Sequence, residues 1–171
     1  VFAFAEKYKT FLSECKTERE CTEEFVGAAK RAGFVDLQTV IAEGRRLVPG
    51  DKVYAVNRGK AMALFVVGSE PFEQGMNILG AHIDSPRLDL KQNPMYEDTG
   101  LAMFDTHYYG GVKKYQWVTL PLALHGVIVK KDQTRVKVSI GEKPEDPVFG
   151  VSDLLIHLAG DQMEKKAAKV I

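Results

Sequence analysis

The residues best equipped for chemistry stand together in Gly80-Ala81-His82-Ile83-Asp84-Ser85-Pro86. An almost wholly apolar run, Met76 to Ala81, leads into a histidine and a carboxylate two positions apart. Pro86 then removes a ladder donor. A short apolar run bounded by turn residues predicts a strand buried on both faces, in a sheet sandwiched between helices. Residues i and i+2 of a strand project to one side, so the imidazole of His82 and the carboxylate of Asp84 are expected to share a face. Strand ends of open α/β sheets are where side chains leave the core and enter a crevice. A carboxylate beside a metal-ligating histidine fixes its tautomer and raises its basicity, an arrangement common at zinc. His-x-Asp alone is weakly specific, because one histidine leaves a ligand set unfilled.

Other candidates read more plainly as structure. His107 precedes Tyr108-Tyr109-Gly110-Gly111 in an expected loop, and His125 lies inside an apolar strand run, where a satisfied, partly buried ring is expected. His157 falls on a short helical segment, and Asp89 and Asp98 read as solvated carboxylates. Gly110-Gly111 is no phosphate cradle, since no helix opening on Ser or Lys follows; it suits a tight turn. Cys15 and Cys21 have no CxxC partner, so two free thiols in a reducing compartment, hence a cytoplasmic protein, are expected. No basic, then apolar leader opens the sequence. The aromatic group Phe104, Tyr108, Tyr109, Tyr115 and Trp117 is assigned to core or subunit packing.

The elements that must position these residues fit within 171 residues, 45% hydrophobic and 27% charged, with 23 basic against 23 acidic side chains. Zero net charge argues against nucleic acid as a partner. The longest apolar stretch, Val118 to Val129, is broken by Pro121, His125 and Gly126 and is too short to span a membrane. Phe4, Tyr8, Phe11, Leu12 and Cys15 recur at helical spacing. Thr17-Glu18-Arg19-Glu20 has the form of a capping box, opening a helix that ends at Gly33. Leu37 to Ile41 predicts a further turn or two. Lys52 to Val67 predicts a hairpin turning at Arg58-Gly59-Lys60. From Leu88 the chain becomes β-rich, with strands expected at Leu88–Lys91, Tyr115–Val129 and Thr134–Ile140, a hairpin tip at Lys130–Gln133, and helix again from Ser152 to Lys169. A boundary is expected near Asn93-Pro94, dividing residues 1–93 from 94–171.

Three segments together resemble the aspartyl aminopeptidase and aminopeptidase I family of cocatalytic zinc exopeptidases. They are Asn77-Ile78-Leu79-Gly80-Ala81-His82-Ile83-Asp84-Ser85-Pro86-Arg87-Leu88, Tyr109-Gly110-Gly111 followed by Trp117-Val118-Thr119, and Ser152-Asp153-Leu154-Leu155-Ile156-His157-Leu158. The matches keep the family's order from about Lys52 to Ala159. The resemblance implies an α/β fold: residues 1–93 as part of an α/β/α zinc-peptidase domain, and 94–171 as part of a β-rich inserted dimerisation domain. It implies peptide substrates and a homo-oligomer, a dodecamer built from dimers. It also implies two zinc ions, with cobalt or manganese as alternatives. Carried over by position, His82 would bind one zinc, Asp84 would be the catalytic carboxylate that orients and polarises that imidazole, and His157 would bind substrate in a neighbouring subunit's site.

The sequence also departs from that family. A bridging carboxylate, a general-base glutamate and a second histidine follow the inserted domain there, and after Asp161 only Gln162 to Ile171 remain. The chain is therefore expected to be an N-terminal portion of a longer polypeptide, inactive alone. A reading of another class is a non-catalytic oligomerisation module supplying a subunit interface. A third is a different zinc exopeptidase sharing only the His-x-Asp strand.

Overall fold

A computed structural model describes residues 1–171, in two units, Val1–Ser85 and Pro86–Ile171. In the first unit, α1 (Phe2–Glu14) and α2 (Glu18–Arg31) meet at a corner built by the capping box. The Thr17 hydroxyl accepts from the Glu20 amide at 3.3 Å, and the Glu20 carboxylate accepts from the Thr17 amide at 2.9 Å. At the other end, Gly33 (φ 83°) reverses the chain while its amide bonds Lys30 O and that of Phe34 bonds Ala29 O, the paired bonds of a Schellman motif. Asp36 caps α3 (Leu37–Ala42) by accepting from the Gln38 amide at 2.9 Å.

β1 (Val35–Asp36) runs parallel to β2 (Lys52–Asn57), which pairs antiparallel with β3 (Ala61–Val66). Arg58 and Gly59 both adopt positive φ in the hairpin turn. α2 packs on this hairpin, and the buried core here is Cys21, Thr22, Ala29, Val40, Val53 and Tyr54. Phe11 of α1 stacks on Phe25 of α2 with centroids 5.1 Å apart. Helices alternating with strands, one pair of them parallel, give the α/β character expected from the sequence.

In the second unit, β4 (Arg87–Asp98) and β5 (Leu101–Tyr109) form a long hairpin around Thr99-Gly100, both at positive φ. β6 (Leu124–Val129) and β7 (Arg135–Ile140) form a second, with the tip where expected. Asp132 accepts from the Thr134 amide there, which holds its carboxyl below the usual range.

Several expectations are corrected. Met76–Ala81 forms no strand: Ile78 is 79% and Leu79 101% exposed. An apolar run states a preference for burial, but a strand also needs a neighbour offering ladder partners, and the sheet of this unit holds only β1, β2 and β3. The two compact units divide at Ser85/Pro86. β4 runs through Asn93-Pro94 because Asn93 takes positive φ in a bulge, where the register jumps between Leu90 and Met95. Tyr115–Val129 is a strand only from Leu124, since Pro121 lacks an amide hydrogen and Thr119 sits at φ 62°. Ser152–Lys169 is not one helix. It holds two short 3-10 turns, Ile156–Leu158 and Ala167–Lys169, and the four-residue α4 (Gly160–Met163). Ala159 (φ −100°, ψ 16°) separates the first turn from α4, and Asp153 binds the Leu154 amide and the Gln162 side chain instead of capping.

Replacing Thr17 by Ala removes the side-chain half of the capping box, with an expected loss of about 1 kcal/mol. Urea denaturation followed by helical circular dichroism measures it; an unchanged midpoint would show that the corner is held by packing alone.

Candidate metal-ligand segment

His82 and Asp84 lie in the irregular segment between β3 and β4. Although the expected strand is absent, the two side chains do come together. His82 Nδ1 lies 3.0 Å from Asp84 Oδ1 and 3.1 Å from the Asp84 carbonyl oxygen. Both partners are acceptors, so Nδ1 carries the proton and donates to them. In the neutral ring, Nε2 then keeps its lone pair for an outside electrophile. The imidazole is 85% exposed and the Asp84 side chain 38%. Water screens such a pair, so it contributes only about 0–1 kcal/mol to stability, and its effect is orientation.

Ile83, between them, is fixed from α2: the buried Cys21 thiol donates to the Ile83 carbonyl at 3.7 Å. Sequence reasoning missed this link, and no spacing signal could reveal a contact between residues so far apart in the chain.

The second unit places the other motif residues in neighbouring pairs. Arg87 and Tyr109 are register partners, the guanidinium lies 4.0 Å from the Tyr109 ring centroid, and Arg87 Nε donates to Asp89 at 2.7 Å. Gly110 (φ 76°) turns beside Pro86; a Cβ on it would meet Pro86 atoms at 3.6–3.7 Å. Val118 bridges Val151, and the Thr119 amide bonds Val151 O at 2.9 Å, bringing Trp117-Val118-Thr119 beside the start of Ser152–Leu158. His157 is exposed on the 3-10 turn Ile156–Leu158. His107 is not in a loop but in β5, opposite Asp89, because the hairpin extends to Tyr109. His125 is a satisfied, partly buried histidine: its side chain is 10% exposed, with Nε2 2.8 Å from Glu142 Oε1. Asp89 is tied to Arg87, and Asp98 pairs with Leu101 at the hairpin end.

As donors, His82 with a carboxylate-held Nδ1 suits one position on a zinc ion. Three or more protein ligands are needed for a site, and no group of three His, Cys, Asp or Glu converges in this chain. The chain thus brings one oriented imidazole and its carboxylate partner together.

Comparison with known proteins points to one family. A family model described as aminopeptidase I zinc metalloprotease (M18) matches residues 11–170. A probable M18 family aminopeptidase 1 of Clostridium acetobutylicum is 63% identical over 171 residues, covering 100% of this chain and 37% of the relative. The crystal structure of aminopeptidase I from the same organism superposes with a TM-score of 0.84 at 60% identity, over 99% of this chain and 37% of that one. That of an M18 aminopeptidase from Thermotoga maritima gives 0.85 at 48% identity, over 98% and 36%. The chain therefore spans little more than a third of the length of the relatives it matches.

Imidazole nitrogen NMR tests the tautomer directly: His82 is expected as the Nδ1–H form, and Asp84→Ala is expected to move it toward Nε2–H. A ring already in the Nε2–H form in the unsubstituted chain would remove the basis for Nε2 as ligand.

Proposed function

The chain belongs to the aminopeptidase I zinc metalloprotease (M18) family, and on that premise we propose that the longer polypeptide containing it hydrolyses N-terminal residues from peptides with zinc, cobalt or manganese being alternatives. The single observation that carries this reading is the His82–Asp84 hydrogen bond, which leaves the Nε2 lone pair available to a metal. Zinc, when bound, supplies Lewis acidity toward a scissile carbonyl and acidifies water near neutral pH. His82 would hold one of two such ions. Asp84 acts through His82: it keeps the proton on Nδ1, fixes the ring plane and strengthens Nε2 as a base. The remaining ligands and the general base would come from sequence outside these residues, so the chain alone is expected to be inactive.

In the same reading, residues 94–171 belong to a β-rich inserted dimerisation domain, and His157 reaches substrate in a neighbouring subunit of a dodecamer built from dimers. The exposure of His157, and of Leu154, Leu155, Ile156 and Leu158 around it, supports an interface there, since a cluster of bare aliphatic side chains is a surface that gains by being covered. A cytoplasmic location is consistent with the two free cysteines; no helix is long and apolar enough to cross a membrane. That same aliphatic cluster also favours the second reading, a non-catalytic assembly module.

In the longer polypeptide, chelation is expected to abolish release of N-terminal residues and zinc to restore it. His82→Ala should remove activity, and Asp84→Asn should cost about 10- to 100-fold in zinc affinity or kcat/KM. Peptidase activity indifferent to both chelator and His82→Ala would refute the metal role. A strict monomer by sedimentation, at every concentration, would refute the interface.

A further inference from the structure

The exposed turn that carries His157 is closed at its base by one side-chain pair. Asp153 Oδ1 accepts from the Leu154 amide at 2.8 Å and from Gln162 Nε2 at 2.8 Å. The same Nε2 donates to the Val170 carbonyl at 2.7 Å, which gathers in the end of the last 3-10 turn, Ala167–Lys169. Both partners of that nitrogen are acceptors, so the orientation of the Gln162 amide is settled and each of its hydrogens has a use. We propose that Asp153 and Gln162 are positioning residues for His157, a clamp that holds the turn Ile156–Leu158 in one place so that its imidazole is presented to substrate. The proposal rests on the reading of His157 as a substrate-binding residue.

The turn has little else to hold it. Within it, the Leu158 amide bonds Leu155 O at 2.8 Å and the Ala159 amide bonds Ile156 O at 3.3 Å. Leu154, Leu155, Ile156 and Leu158 are 56–72% exposed, so packing of their side chains does little to fix the backbone. Below the turn Ala159 is buried, and its carbonyl accepts from the Gln162 and Met163 amides at 2.9 and 3.1 Å. Gln162 therefore meets the base of the turn twice, through its backbone and through its side chain. Tying the two ends of a short loop limits the conformations its tip can sample. A ring already held in one place then binds without first having to be ordered.

Amide exchange in the chain, read residue by residue by NMR, tests the clamp. Gln162→Leu keeps the bulk and removes both side-chain bonds, and exchange at Leu158 and Ala159 is expected to accelerate about fivefold or more. Asp153→Ala should do the same, and the double variant should add little to either single one, since the pair acts as a unit. Asp153→Asn keeps a carbonyl oxygen that accepts both bonds and should retain slow exchange. Should Gln162→Leu unfold the chain, Asp153→Ala against Asp153→Asn gives the same comparison.

In the longer polypeptide, Gln162→Leu should raise KM about fivefold with a smaller change in kcat, and Asp153→Asn should keep the original KM. Unchanged exchange at Leu158 and Ala159 would overturn the proposal, as would a KM moved by His157→Ala and not by Gln162→Leu. A KM indifferent to His157→Ala refutes the reading of His157 and with it the presentation to substrate, whereas the exchange result alone decides the clamp.

Discussion

Every backbone amide and carbonyl taken out of water needs a partner, and the way this chain meets that demand explains most of its structure. Local devices satisfy it: the capping box at Thr17, the Schellman bonds at Gly33, the Asp36 cap, and hairpins closed by positive-φ residues at Arg58-Gly59 and Thr99-Gly100. Each acts over a few residues. The one strongly apolar stretch with no such device, Met76–Ala81, stays outside any ladder. It is also the stretch that delivers His82 and Asp84.

The chemistry-bearing segment is therefore held by side-chain contacts rather than by a sheet. Asp84 secures the His82 ring from within the segment, and Cys21 secures the Ile83 carbonyl from α2. The first contact is exposed and contributes orientation rather than stability. The second ties the segment to a helix that belongs to the buried core, alongside Val53 and Tyr54. A residue that would be classed as packing in α2 thus has a share in where the candidate ligand stands.

Local patterns were legible where the determinants lie within one turn or one hairpin. Thr17 and Glu20 announce a helix start because both halves of the box are three residues apart. Gly33 announces its end because a left-handed residue is needed there. The Lys52–Val67 hairpin follows from alternation around a turn. The misreadings share the opposite property. Met76–Ala81 reads as a strand from hydrophobicity, though pairing depends on partners elsewhere. The passage of β4 through Asn93-Pro94 likewise depends on a bulge that local sequence does not announce. The Ser152–Lys169 segment has helical composition, yet the non-helical Ala159 and the bonds made by Asp153 divide it.

By itself the sequence determined the family, the residue types of the candidate site and the capped helices, because each is written in short, ordered motifs. Only the tertiary structure decided that Nδ1 of His82 faces two acceptors, that Arg87 lies over Tyr109 and Gly110 beside Pro86, and that the Cys21 thiol reaches the Ile83 carbonyl. Those facts depend on distances between groups whose chain separation carries no signal. They are set by how helices and hairpins pack once each has met its own hydrogen-bonding demand.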